Sequence, residues 1–181
     1  MDTLPDLLGP GLNVLSIGLN PSIPSVQYGF YFANPRNRFW RALNASDLVV
    51  HSLTPGVAAQ SWLFAELGIG FTDVVKRPTP GAATLRAADF RADAPALREK
   101  VVLYAPAIAW FHGKVAYQHY ARHTGDKLGA IEWGLQPRLI GRSKIFVTPN
   151  PSPANAVFSL ETLVTWYNQL YQLMRTGVVS C

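Results

Sequence analysis

Asn20, in the run Gly18-Leu19-Asn20-Pro21-Ser22, has a side chain suited to holding a reactant. A carboxamide donates and accepts hydrogen bonds. After a buried strand it can hold a water molecule, although it is too weak a base to deprotonate one. Asn-Pro is also an ordinary turn former, so the run by itself marks a turn as readily as a site. A second such run, Asn150-Pro151-Ser152-Pro153, lies toward the other end of the chain. Between them, Gly29-Phe30-Tyr31-Phe32 groups three aromatics where no helical period runs. Such rings either stack on flat ligands or form a satellite core under a loop. Arg36, Arg38 and Arg41 follow, suited to phosphate contacts or to a solvated helix face.

Other chemistries leave little trace. There is no phosphate-binding Gly-rich loop with Lys, no G-x-G-x-x-G after a strand and no G-x-S-x-G elbow. His119 and His123 share a helix face near Asp126, but no third ligand has metal-site spacing, so neither metal nor cofactor is expected. The single cysteine, Cys181, cannot form an internal disulfide.

The elements that must position these residues follow from the hydrophobic pattern. Residues 13–18 read as a buried strand, 69–75 as a second, 107–111 as a third and 144–148 as a fourth. Helices are expected at 37–43, at 57–67 closed by Gly68, at 94–103 with Pro95 at its start, at 113–122 and at 159–174. Residues 18–37 read as one long loop. Strands alternating with helices predict an α/β fold: one three-layer domain over residues 1–181 with a mostly parallel central sheet flanked by helices. Ligands in such sheets sit beyond the carboxyl ends of the strands, where both Asn-Pro-Ser runs fall.

The chain has 181 residues, 49% hydrophobic and 15% charged, which suits one folded domain. A net charge of +5 favours acidic partners such as nucleic acid, or serves solubility alone. No apolar run is long enough for a membrane span, and the first residues are acidic, unlike a signal peptide. A soluble cytoplasmic protein, nucleoid-associated in a bacterium, is the expectation.

The ordered set of segments is specific. Asp6-Leu7-Leu8, Pro10-Gly11-Leu12 and Gly18-Leu19-Asn20-Pro21 resemble the opening of the mismatch-specific uracil/thymine DNA glycosylase family. The block from Gly29 through Asn34-Pro35-Arg36-Asn37-Arg38-Phe39-Trp40 is similar to the family's next segment. Gly70 to Thr79, His112-Gly113-Lys114, Trp133-Gly134 and Asn150-Pro151-Ser152 follow in the family's order. Ser22 stands where the family usually has Gly, and the loop after Pro153 lacks the familiar leucine wedge and arginine.

The resemblance implies an α/β glycosylase that flips uracil from duplex DNA, chiefly from G·U mismatches, and hydrolyses its bond to the sugar. Asn20 would position the attacking water and Phe32 would stack on the base. The backbone of Ile17, Gly18, Leu19, Gly29, Phe30 and Tyr31 would line the base pocket. The segment Asn150, Pro151, Ser152, Pro153, Ala154 and Asn155 would enter the DNA, with Asn155, Val157 or Phe158 in place of the wedge. Lys114 and Arg38 would serve structure or phosphates.

Glycosidic cleavage builds positive charge on the sugar, which a carboxylate would offset. By elimination Asp73, Asp89 and Asp93 are candidates, each also readable as a cap or solvated charge. The partner expected is double-stranded DNA with a damaged or mismatched base, met by a monomer. Deaminated purines or alkylated cytosine are alternative substrates, and a lesion-binding module without catalysis is the alternative outside enzymology.

Overall fold

Alternation of side chains along the strands sorts the core onto two faces of one sheet. The computed structural model describes residues 3–177, so Cys181 lies outside the described residues. The strands are β1 (Val14–Gly18), β2 (Ile69–Asp73), β3 (Ile108–His112), β4 (Gly134–Ile140) and β5 (Ser143–Thr148). The helices are α1 (Ile23–Tyr28), α2 (Phe39–Ala45), α3 (Val57–Leu67), α4 (Ala87–Tyr104), α5 (Lys114–His123) and α6 (Leu160–Thr176). The sheet order is β2-β1-β3-β5-β4, parallel except for β4 at one edge. The expected three-layer α/β architecture is therefore what the chain adopts.

Val14, Ile69, Phe71, Ile108, Trp110 and Phe146 face one way and pack against α2, α3 and α6. Leu15, Ile17, Ala109, Phe111, Ile145 and Val147 face the other way, against α4 and α5. Residues two apart share a face, so Ser16, Gly18, Asp73, His112 and Thr148 lie on the α2/α3/α6 side. Buried polar groups, Asp73, His112 and Thr148, thus gather at the carboxyl ends of three strands on this face.

Three expectations need correction. Residues 18–37 are not one loop: α1 lies within them, capped by Ser22, whose hydroxyl accepts from the Ser25 amide. Six residues with an internal Pro24 show too little period to be read from sequence. Helix α4 begins at Ala87, where Asp89 accepts from the Arg86 amide in a capping box, and Pro95 sits inside it. Pro95 is on an exposed turn, where water can satisfy the carbonyl deprived of its donor. Strand β4 was not expected, because Pro137 and Arg138 break its apolar pattern. An antiparallel edge strand with a register shift between Leu135 and Leu139 tolerates both.

Candidate active site

The chain runs from β1 to β2 on one side and to β3 on the other, so the winding reverses at β1, and a crevice opens there at the strand ends. A cleft of about 530 Å³ fills it, within the range of small-ligand sites. Gly18, Leu19, Asn20, Tyr31, Phe32 and Asp73 line it, as do Asn150, Ser152, Pro153 and Ala154. The two Asn-Pro-Ser runs therefore meet at one site. Ile17, Gly29, Phe30, Pro151 and Asn155 do not line the cleft; Ile17 points into the opposite core layer.

Asn20 is fixed through its amide nitrogen. Nδ2 donates to the Arg77 carbonyl at 3.0 Å and to Thr79 Oγ1 at 2.8 Å, and the Thr79 hydroxyl donates onward to the Gly81 carbonyl at 3.0 Å. A carbonyl only accepts, so the amide orientation is determined chemically. Oδ1 has no partner among the described residues and is left as an acceptor at the cleft. Thr79, buried and 59 positions away in sequence, closes the Gly70–Thr79 segment of the resemblance, but nothing in the sequence tied it to Asn20.

The aromatic loop is held from behind. The Tyr31 amide donates to Gln60 Oε1 of α3 at 3.0 Å, and Trp40 Nε1 donates to the Tyr31 carbonyl at 3.0 Å. Phe32 then takes a left-handed conformation, φ 59°, costly for a bulky residue unless its surroundings enforce it. Its ring stacks on Phe39 at 4.1 Å and 17°. One ring face is thereby covered, while the side chain lines the cleft. The Phe32 amide has no partner among the described residues. Ser25, a further cleft residue the sequence did not single out, accepts the Ala33 amide at 3.2 Å and fixes the exit of the loop.

The Asn37-Arg38-Phe39-Trp40 block is scaffold. Asn37 Oδ1 accepts from the Phe39 amide at 2.9 Å, and Phe39 and Trp40 support Phe32 and Tyr31. The Arg38 guanidinium donates to the carbonyls of Pro151, Ser152, Asn155 and Phe158. It is committed to the second Asn-Pro-Ser loop and is not free for phosphate. Arg36 is exposed at the cleft rim, and Arg41 is exposed on α2. Lys114 lies over the Trp133 ring at 4.5 Å. Asn150 Oδ1 accepts from the Ser152 amide at 2.9 Å, and Asn150 Cβ lies 3.2 Å from where a Cβ on Gly113 would stand, a tight approach at a φ of 104° that strains any other residue.

The three carboxylate candidates separate. Asp89 pairs in bidentate fashion with Arg77, at 2.9 and 2.7 Å, which holds it ionised with a pKa of about 2. Asp93 accepts from the Lys76 amide at 2.7 Å. Neither lines the cleft; Asp73 does, and is 4% exposed. Burial pushes the Asp73 carboxyl up to about 6, against the opposing pull of Lys76 Nζ at 3.4 Å. Lys76 is shared with Asp6, at 2.7 Å, which also accepts from Lys100 at 2.6 Å and Thr72 at 2.8 Å. Burial raises Asp6 too, but the two lysines outweigh it and leave Asp6 below the usual carboxylate range.

His112 ends β3 in the same cleft, and its Nε2 lies 2.8 Å from Ser16 Oγ. Burial pushes its pKa down to about 3, so the ring is neutral. A polar residue closing an apolar strand run was the signal that could have singled it out. His119 and His123 instead stack on Phe90, at 4.1 and 5.6 Å, and Asp126 faces Arg98 and Arg138. They do not converge on a ligand position. No helix among the described residues is long and apolar enough to cross a membrane.

The fold recurs in a known structure. The solution NMR structure of a presumed uracil DNA glycosylase from Methanosarcina acetivorans is similar, with a TM-score of 0.60 and 23% identity, covering 95% of this chain and 97% of that one. That likeness concerns the fold. The profile of the uracil DNA glycosylase superfamily matches residues 5–171, nearly the whole chain. With that match across the sheet, the aromatic loop and both Asn-Pro-Ser runs, the chain belongs to the uracil DNA glycosylase superfamily.

Proposed function

We propose that the chain is a monofunctional DNA glycosylase that flips uracil out of duplex DNA, G·U mismatches included, and hydrolyses its N-glycosidic bond to leave an abasic site. The observation that carries this reading is Asn20, tied by its nitrogen to Arg77 and Thr79 with Oδ1 free at the cleft. That oxygen accepts a hydrogen bond from a water and orients it toward the sugar carbon. A flipped base is gripped by stacking, and Phe32, backed by Phe39, offers a ring face for it.

As the bond breaks, negative charge gathers on the base, and the unpartnered Phe32 amide is a donor for it. No lysine lines the cleft among the described residues, so water is the nucleophile and no imine to the enzyme forms. In the loop after Asn150, Asn155 is tied to the Asn150 carbonyl at 3.0 Å and Phe158 packs on Trp133 at 5.2 Å. Val157, 84% exposed, is the apolar side chain left to fill the gap vacated by the base. Arg36 at the rim and Arg41 on α2 would meet phosphates, with the protein acting as a monomer on the duplex.

The test is a gel assay on duplexes with one U·G, U·A, T·G or hypoxanthine pair, plus single-stranded uracil, with alkali to break abasic sites. Cleavage at U·G is expected, lowered roughly a hundredfold or more in Asn20→Ala with DNA binding retained. Bound but uncut substrates throughout would point instead to a lesion-binding module.

A further inference from the structure

One wall of the cleft has little apolar anchorage of its own. Thr79, Pro80, Gly81 and Ala82 line the cleft, and residues 80–84 are all exposed. A segment with so little buried apolar surface depends on its hydrogen bonds for a fixed shape. Here they converge on the Gly81 carbonyl, which accepts from Thr79 Oγ1 at 3.0 Å, Thr84 Oγ1 at 2.9 Å and the Thr84 amide at 3.2 Å. The turn is closed by Arg77, whose Nη2 donates to the Thr84 carbonyl at 2.9 Å. The same guanidinium grips Asp89 of α4 through Nε and Nη2, at 2.9 and 2.7 Å.

Arg77 therefore works in two directions. Its side chain is fastened to α4, and its carbonyl accepts from Asn20 Nδ2 at 3.0 Å. Helix α4 is a firm anchor, because Phe90, Ala94, Leu97 and Val101 bury one side of it. Asp89 is itself fixed, accepting the Arg86 amide at 2.7 Å. Neither Arg77 nor Asp89 lines the cleft, so neither side chain meets a ligand held there.

We propose that the Arg77–Asp89 pair is a positioning device for Asn20, fastening the 77–84 turn to α4 so that the Arg77 carbonyl and the Thr79 hydroxyl set the plane of the Asn20 carboxamide. Its effect on excision rests on the glycosylase reading above. The need for such a device is visible at Asn20. Nδ2 has two hydrogens but three oxygens within reach: Thr79 Oγ1 at 2.8 Å, the Arg77 carbonyl at 3.0 Å and the Pro21 carbonyl at 3.2 Å. If the Arg77 carbonyl drifts, the adjacent Pro21 carbonyl competes for the hydrogen. The carboxamide then turns, and Oδ1 no longer aims its water at the sugar carbon. Geometry of this kind governs rate steeply, since a misplacement of about 1 Å can cost roughly a hundredfold.

The experiment is single-turnover excision of uracil from a U·G duplex by the wild type, Arg77→Met and Asp89→Asn, each also combined with Asn20→Ala. Duplex affinity and solvent exchange of the Asn20 side-chain amide protons are measured alongside. Arg77→Met keeps the carbonyl that Asn20 uses, and Asp89→Asn keeps an acceptor for the Arg86 amide, so either variant decides if the other does not fold. Each is expected to excise roughly tenfold more slowly at unchanged affinity, with faster exchange at Asn20. In the Asn20→Ala background the same changes should cost less than about twofold, because the group they position is gone. The same loss with and without Asn20 means a general structural role and overturns the proposal. An undiminished rate overturns it too; if DNA binding weakens at the same time, Arg77 is a phosphate contact instead. Unchanged exchange at Asn20 is equally fatal. A wild type that excises no uracil brings down the glycosylase reading, and exchange at Asn20 then still decides whether the pair positions that side chain.

Discussion

Replacing Gly18 with Ala tests how the floor of the cleft is built. The new methyl would stand 2.6 Å from Asp73 Oδ1, where ordinary contacts begin at 3.4 Å, so about 0.8 Å must be found. The backbone does not resist, because Gly18 is not in a left-handed conformation. The resistance comes from Asp73, buried on the neighbouring strand and facing Lys76 with its other oxygen. Overpacking of this kind costs about 1–3 kcal/mol. Loss of glycine's freedom in the unfolded chain returns about 0.4–1 kcal/mol, leaving a net loss near 1–2 kcal/mol.

In an Asp73→Ala background both Oδ1 and Cγ are gone, and the nearest remaining neighbour is the Thr72 carbonyl at 4.0 Å. There the same substitution should be neutral or stabilising, giving a coupling of roughly 2 kcal/mol. Urea denaturation of the four proteins at pH 7 measures it. Equal losses in both backgrounds, or no loss in Gly18→Ala alone, would refute the packing argument.

Arg38→Lys keeps the charge but not the fork that reaches four carbonyls, so amides of residues 150–158 should exchange faster while the sheet core stays protected. Unchanged exchange would count against the clamp. Thr79→Val removes one anchor of Asn20, worth about 1 kcal/mol, so kcat should fall roughly fivefold with KM little changed; a KM effect alone would contradict it. Asp73 holds its proton more tightly folded than unfolded, so its contribution is fully present below pH 4, is lost as pH rises to about 6 and is flat beyond. Comparison of wild type with Asp73→Asn across that window should show a differential of about 3 kcal/mol, and parallel stability curves would argue against the buried acid.

The strand and helix pattern was legible because burial on both faces writes short apolar runs into β1, β3 and β5, and burial on one face writes an apolar stripe into α6. It failed where other forces set the backbone. Helix α1 is held by the Ser22 cap and by tertiary contacts, the first turns of α4 by the Asp89 capping box, and β4 by edge pairing that tolerates Pro137. The sequence also brought Asn20, Phe32 and Asn150 forward, through motifs and resemblance. It could not sort Asp73, Asp89 and Asp93, because their difference is who stands beside them: Arg77, the Lys76 amide, or the cleft. Nor could it tell that Arg38 clamps a loop 113 or more positions away. Residue types and local periods determined the layers and the strand ends. The register of β2, β1, β3 and β5 decided which polar groups share one row, because a side chain's partners and its ionisation depend on neighbours distant in the chain.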